Sequence, residues 1–265
     1  MLIQIDDLYF TYPSGVEALR GVSLQIEPGE RVAIVGQNGS GKTTLARHLN
    51  GLLRPQHGSV RVGDWLTKAH SIAQLARRVG YVFQNPDEQL FKQRIWDEVA
   101  FGAINLGFKA DEVRRQVETA LQLMGLTEQA TLNPYDLTSS WRRRVSIAAV
   151  LAMETPIIVL DEPTLGQDQR FLVELGQLLN RLQKCGKTVI IISHDIDFVA
   201  DYFSRIVVMG QGRILLDGEP GFVFGETELL ATTFVQPPQM TRLATGLGLP
   251  RPVHTLDGFL QQLKV

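Results

Sequence analysis

Short apolar runs alternate along the chain with stretches of helical periodicity. Residues 2–10 and 22–26 alternate apolar and polar positions as half-buried strands do, and Tyr12-Pro13-Ser14-Gly15 supplies a turn between them. A second turn at Glu27-Pro28-Gly29-Glu30 leads into Arg31-Val32-Ala33-Ile34-Val35, which is almost continuously apolar and rich in β-branched residues. A run of this kind suits a strand buried on both faces of a sheet. The segments 79–83, 157–160 and 189–192 read the same way, and with helical stretches between them they predict a parallel α/β core. Over 111–124 the apolar residues Val113, Val117, Ala120, Leu121 and Met124 recur at helical spacing, with Asp111 expected as N-cap and Gly125 as the residue just past the end. Residues 142–153 and 171–184 are further helix candidates. About 87–150 reads as a helical lobe inserted between two strands of the α/β core. Gly and Pro become frequent from 219 on, including Pro220, Gly221, Pro237, Pro238, Pro250 and Pro252. The expected organisation is therefore a main domain over 1–218 and a C-terminal extension over 219–265.

Composition narrows the function classes. The chain has 265 residues, is 44% hydrophobic and 20% charged, and carries a formal net charge of −2, so no nucleic-acid partner is expected. Cys185 is the single cysteine and cannot form an internal disulfide. The N-terminus lacks the basic and apolar regions of a signal peptide. No apolar run approaches the roughly 18–20 residues of a membrane-spanning helix. A soluble protein is expected, with any membrane role arising through partners.

The chemistry is concentrated at a few strand ends. Residues 36–43 read Gly-Gln-Asn-Gly-Ser-Gly-Lys-Thr, a full match to the GxxxxGK[ST] phosphate loop, lying between a predicted strand and a predicted helix at 44–49. Gly36, Gly39 and Gly41 permit backbone angles and close approach that side chains would block. The N–H groups of Gln37, Asn38, Ser40 and their neighbours through Thr44 then form an anion nest at a helix N-terminus. Lys42 is expected to reach the β- and γ-phosphates and Thr43 to join a Mg2+ shell. At the end of the third buried run stand Asp161 and Glu162. Two acids there are costly unless they serve a cation or a polarised water, so Asp161 is expected at Mg2+ and Glu162 as general base. His194 follows the fourth run, at the ligand edge of an α/β sheet, where it can donate to a γ-phosphate or hold the attacking water. Gln84 follows the second run, where the helical lobe begins, and can contact Mg2+ and the water.

In order and spacing this set resembles the ATP-binding cassette family over nearly the whole chain. It comprises an early aromatic, Tyr12, the phosphate loop, a Q-loop at Gln84, a helical lobe, a signature region at 137–145, Asp161-Glu162, a D-loop at 165–168 and His194. The resemblance implies a P-loop NTPase core of the cassette type with an N-terminal antiparallel β subdomain and an inserted helical subdomain. It also implies ATP and Mg2+ as ligands, and stacking of Tyr12 on adenine. A closer similarity lies in Gln84-Asn85-Pro86-Asp87-Glu88-Gln89-Leu90-Phe91 and in Pro237-Pro238-Gln239-Met240-Thr241-Arg242-Leu243-Ala244. Both segments look like those of energy-coupling factor ATPases, which energise uptake of vitamins and of cobalt or nickel ions. That similarity implies a peripheral subunit on the cytoplasmic face of the cell membrane. It would pair with a second ATPase and dock on a transmembrane coupling subunit through a groove near Gln84–Phe91.

One region departs from the family pattern. The signature usually reads Leu-Ser-Gly-Gly-Gln, and here it reads Leu137-Thr138-Ser139-Ser140-Trp141. In the family this segment faces the nucleotide held by the other subunit. A homodimer would thus contain two altered signatures, and a heterodimer is expected instead. The D-loop keeps Asp168 but carries Gln167 where Leu is usual, which reads as a minor change. The run Arg142-Arg143-Arg144 reads as a solvated helix face, with a partner's acids or phosphate as the other reading. Two alternatives to transport stay open. One is a cassette ATPase of scaffold, assembly or repair type, and the other is a nucleotide sensor that binds without turnover.

Overall fold

A computed structural model describes residues 1–249 and 253–263. Pro250, Pro252 and the last two residues of the expected extension lie outside them. The strands are β1 (Ile3–Thr11), β2 (Glu17–Ile26), β3 (Arg31–Val35), β4 (His57–Val62), β5 (Trp65–Leu66), β6 (Val79–Val82), β7 (Ile157–Asp161), β8 (Thr188–Ile192), β9 (Arg205–Gly210) and β10 (Arg213–Gly218). The helices are α1 (Lys42–Leu49), α2 (Ile72–Leu75), α3 (Ile95–Asn105), α4 (Ala110–Leu123), α5 (Ser139–Leu151), α6 (Gln169–Lys184), α7 (Ile196–Tyr202), α8 (Pro220–Gly225), α9 (Thr227–Thr232), α10 (Gln239–Gly246) and α11 (Leu256–Leu263).

Among the described residues the strands form two sheets. One is antiparallel, in the order β2-β1-β4-β5, and the other runs β10-β9-β3-β8-β7-β6. In the second sheet β3 pairs in parallel with β8 and β9, and β7 pairs in parallel with β6 and β8. Every residue of β6, β7 and β8 is buried, as continuous apolar runs predict for strands covered on both faces. One core cluster sits between the two sheets, joining Ile3, Ile5 and Val60 to Val32, Ile34 and Leu45. The other lies on the opposite face and extends through α3, α4 and α5. The parallel register carries the ends of β3, β6, β7 and β8 to one edge, which is where ligands bind in open α/β sheets.

Several boundaries differ from the sequence expectation for local reasons. The helix expected over 111–124 begins one residue earlier, and its N-cap is Lys109 rather than Asp111. The Lys109 N–H donates to Glu112 Oε2 at 2.9 Å, so Glu112 serves the orphan donor from inside the first turn. Gly125 has φ 67° just past the end, as expected. The helix expected from 142 begins at Ser139, and the one expected from 171 begins at Gln169 because Asp168 caps it, accepting from Phe171 N at 2.8 Å. Strands β4, β5, β9 and β10 were not anticipated.

The arginine run is a correction. Arg143 is 4% exposed and Arg144 9%, so it is not a solvated face. Arg142 pairs with Asp87 at 2.7 Å, Arg143 Nη2 donates to Gln84 O at 2.7 Å, and Arg144 Nη1 donates to Glu174 Oε2 at 2.7 Å. Because α5 is wedged between the helical lobe and the sheet, a basic residue on nearly any of its faces meets protein rather than water. Beyond β10, Phe224 and Leu230 join the main core, whereas Ala244, Val253 and Phe259 build a small cluster of their own.

Candidate active site

The phosphate loop takes its shape from β3, which ends at Val35, and α1, which starts at Lys42. Gly36 has φ 144° and Gly41 φ 105°. A Cβ at Gly36 would come 2.1 Å from Met209 O, and one at Gly41 would come 2.5 Å from Ala18 O. Only glycine fits at either point, for conformation and space together. Lys42 Nζ donates to Gly36 O at 2.7 Å and to Gln37 O at 2.9 Å, so its ammonium is held over the loop. Burial pushes the Lys42 ammonium below its usual range, and the charges of Glu162 and Asp161 work against that shift.

Asp161 closes β7 and is buried. Its Oδ1 accepts from Thr43 Oγ1 at 3.3 Å and its Oδ2 from the Tyr81 hydroxyl at 2.8 Å. Burial pushes the Asp161 carboxyl up, while the Tyr81 and Thr43 hydroxyls pull it back. Glu162 is 4% exposed and sits at φ 50°, a left-handed conformation that costs a non-glycine residue about 1–2 kcal/mol. That turn breaks the strand's alternation and points the side chain into the cleft, and strain of this kind clusters at functional sites. Glu162 Oε2 accepts from His194 N at 3.2 Å, and Oε1 lies 3.0 Å from His194 Nε2 without the alignment of a hydrogen bond. Glu162 Oε1 and Ser40 Oγ are thus buried polar atoms with no hydrogen-bond partner among the described residues. Both residues line the cleft described next, where a polar ligand would satisfy these atoms.

A cleft of about 260 Å³ gathers Tyr12, Asn38, Gly39, Ser40, Gly41, Lys42, Thr43, Thr44, Gln84, Glu162 and His194. Gly36, Gln37 and His194 also face a neighbouring cleft of about 360 Å³ that runs toward Phe234 and Arg242. Most of the predicted site residues are thereby brought together. The Tyr12 ring stands edge-on to Phe10 at 5.0 Å, and its hydroxyl is 3.0 Å from Thr44 Oγ1. Gln84 is exposed at the rim.

The signature segment lies elsewhere. Leu137, Thr138, Ser139, Ser140 and Trp141 line no part of the cleft, and neither does Asp168. Thr138 is the N-cap of α5 without a side-chain capping bond. Trp141 is half-buried, with the Arg144 guanidinium 4.9 Å from its ring centroid. Ser140 Oγ donates to Gln167 Oε1 at 2.7 Å. Two of the departures from the family pattern, Ser140 and Gln167, are therefore in contact. One residue in contact with the predicted site residues carries no motif signal in the sequence: Tyr81, whose hydroxyl touches Asp161. Tyr81 carries a periodicity signal only, since it stands two positions behind the strand-end register of Asp161, opposite Val159.

Comparison with known proteins agrees with this geometry. A family model described as ABC transporter matches residues 19–165, more than half of the chain. The Energy-coupling factor transporter ATP-binding protein EcfA of Methanocaldococcus jannaschii is 39% identical over 91% of this chain and 88% of its own length. The solved structure of cbiO1 from Clostridium perfringens, part of the ABC transporter complex cbiONQ, superposes with a TM-score of 0.77. It is 36% identical and covers 93% of this chain and 98% of its own. The cassette MJ0796, solved as a dimer bound to ADP and Pi in a post-hydrolysis state, superposes with a TM-score of 0.76 at 28% identity. It covers 82% of this chain and 98% of its own. The chain spans 43% of the length of one curated relative, from Methanosarcina acetivorans, which is 38% identical over 98% of this chain. With the family model matching most of the core that carries the phosphate loop, and relatives of this identity running the length of the chain, the protein belongs to the ABC transporter family as one of its ATP-hydrolysing ATPases.

Proposed function

We propose that this chain is the ATPase of an energy-coupling-factor type importer, for a vitamin or a transition-metal ion. In this reading it works at the cytoplasmic face of the membrane, paired with a second ATPase. The observation that carries the catalytic part is Glu162, buried at the cleft with one carboxylate oxygen unbonded and 3.0 Å from His194 Nε2. Glu162 takes the proton of the attacking water as general base, and His194 holds the base and meets the γ-phosphate. The glycine cradle at 36–41, Lys42 and the N–H groups through Thr44 bind the phosphates, and Tyr12 packs on the adenine. Thr43 and Asp161 place two hard oxygen donors side by side, a set that suits Mg2+, with Gln84 at the rim. When bound, Mg2+ neutralises charge on the β- and γ-phosphates.

Partner docking rests on a second feature. An apolar groove of about 330 Å³ runs between the β6 edge and the helical lobe, lined by Leu52, Ile72, Phe83, Phe91, Phe101 and Met153 among others. Phe91 and Phe101 are exposed there and stack edge to face at 4.7 Å. No helix among the described residues is long and apolar enough to cross a membrane. A helix of a transmembrane coupling subunit would fit the groove, as helix-in-groove recognition requires. The segment from 219 on is read as the C-terminal extension and 1–218 as the ATPase domain.

The altered signature favours a heterodimer. Side chains at Ser139 and Ser140 stand where backbone approaches the nucleotide of the other subunit, so this signature should close a site that binds ATP and turns it over slowly. The test is steady-state ATP turnover of the purified chain. Turnover should be low, and restoring the usual signature with Thr138→Ser, Ser139→Gly, Ser140→Gly and Trp141→Gln together should raise it about tenfold or more. Glu162→Gln should abolish turnover in both backgrounds and leave ATP bound. Full turnover by the unaltered chain would overturn the heterodimer, and undiminished turnover in Glu162→Gln would overturn the catalytic assignment.

A further inference from the structure

Asp161 is a buried carboxylate with an unusual set of partners. A buried structural carboxylate is ordinarily paired with Arg or Lys, because an isolated charge away from water is strongly disfavoured. Among the described residues Asp161 makes no such ion pair. Its two oxygens are served instead by two neutral hydroxyls, Thr43 at 3.3 Å and Tyr81 at 2.8 Å. This arrangement fixes the carboxylate without a salt bridge, while the charges of Arg47, Lys42 and Arg143 act on it from further away. An arginine in place of Tyr81 would fix it equally well but would neutralise it.

The Tyr81 hydroxyl is itself held rigidly. Tyr81 lies on β6 opposite Val159 of β7, so its side chain projects from the same face as that of Asp161, two positions further along the neighbouring strand. The residue is 6% exposed, and its ring packs on Phe83 with centroids 5.0 Å apart. Its hydroxyl donates to Asp161 Oδ2 over 2.8 Å.

We propose that Tyr81 is a positioning residue for Asp161, orienting its carboxylate so that the oxygen beside Thr43 faces the divalent cation of the nucleotide. This rests on the reading of Asp161 as the metal carboxylate. Groups that hydrogen-bond a ligating carboxylate typically change metal affinity by about 10–100-fold when removed. Tyr81→Phe keeps the ring and deletes the bond.

The test uses the full chain with the fluorescent nucleotide TNP-ATP, titrated in EDTA and then with increasing Mg2+. Tyr81→Phe should bind the nucleotide in EDTA within about twofold of the unaltered chain. It should need about tenfold or more Mg2+ for half of the metal-dependent gain in affinity. Tyr81→Met, which lacks the hydroxyl by a different route, should show the same split if Tyr81→Phe proves too unstable to assay. Asp161→Asn serves as the marker of the underlying reading and should abolish the metal-dependent gain. An unchanged Mg2+ requirement in Tyr81→Phe alongside a loss in Asp161→Asn would overturn the role of Tyr81 alone. Equal weakening with and without Mg2+ would reduce Tyr81 to packing and overturn it too. An unchanged Asp161→Asn would overturn the reading on which it rests.

Discussion

Removing the Arg144 guanidinium should loosen the joint between the signature helix and the sheet domain by an amount the structure allows to be worked out. Its Nη1 donates to Glu174 Oε2 at 2.7 Å and to Met124 O at 3.3 Å. The guanidinium carbon lies 4.9 Å from the Trp141 ring centroid and 4.5 Å from that of Phe171, so the cation contacts two aromatic rings. Each cation–π contact contributes about 0.5–1 kcal/mol, and a hydrogen bond to a charged group about 1.5 kcal/mol or somewhat less where one partner is open to water. Glu174 is partly exposed and keeps Arg170 at 3.0 Å, so it is not left as an orphaned buried charge. Adding the lost packing of the aliphatic stem, Arg144→Ala should cost about 2–4 kcal/mol. For a domain of this size that corresponds to a fall in Tm of about 5–12 °C, read by differential scanning fluorimetry without nucleotide. Arg144→Lys keeps the charge but lacks the planar guanidinium that reaches both rings and Glu174, and should recover only part of the loss. A fall under about 2 °C for Arg144→Ala would refute the view that this cation ties the signature helix to α6.

Two further outcomes follow from contacts around the same helix. Burial pushes the Glu174 carboxyl up, but hydrogen bonds from Arg144 and Arg170 outweigh it and hold the carboxyl below its ordinary value. A depressed folded pKa means stability that is present above the unfolded value near 4.5 and is lost as pH falls through the folded one. Glu174→Gln should therefore lower Tm at pH 7, and the gap from the unaltered chain should shrink as pH falls below about 4.5, whereas a constant gap would contradict the linkage. The 2.7 Å bond from Ser140 to Gln167 should appear in a double-mutant cycle of Ser140→Ala and Gln167→Ala as a coupling of about 0.5–1.5 kcal/mol in urea unfolding. Strict additivity of the two changes would show that the contact contributes nothing.

Much of this protein was legible in its residues because the relevant physics is local. A phosphate loop needs glycines at fixed offsets, a lysine and a hydroxyl, all within eight consecutive residues, so 36–43 announces itself. Strands buried on both faces are continuous apolar runs, so β3, β6, β7 and β8 were found. Strand β9, with its Ile-Val-Val-Met sequence, carried the same signal without being read. Strand β4 mixes exposed and buried positions, β5 is half-buried and only two residues long, and β10 has no fully buried residue, so their assignment depends on the partner strand rather than on their own pattern. The burial of Arg143 and Arg144 was not legible at all. A basic run on a helix is ordinarily solvated, and only the packing of α5 against the Q-loop segment and α6 turns each guanidinium toward a protein partner. The same holds for Ser140 with Gln167, 27 residues apart, and for Tyr81 with Asp161, 80 residues apart. Sequence by itself determined the phosphate chemistry and the α/β class, because both follow from residue type at short range. Which neutral donors orient Asp161, and which loop meets the signature, only the tertiary structure decided, because those contacts depend on the register between strands and the seating of one helix, and neither is written in any single segment.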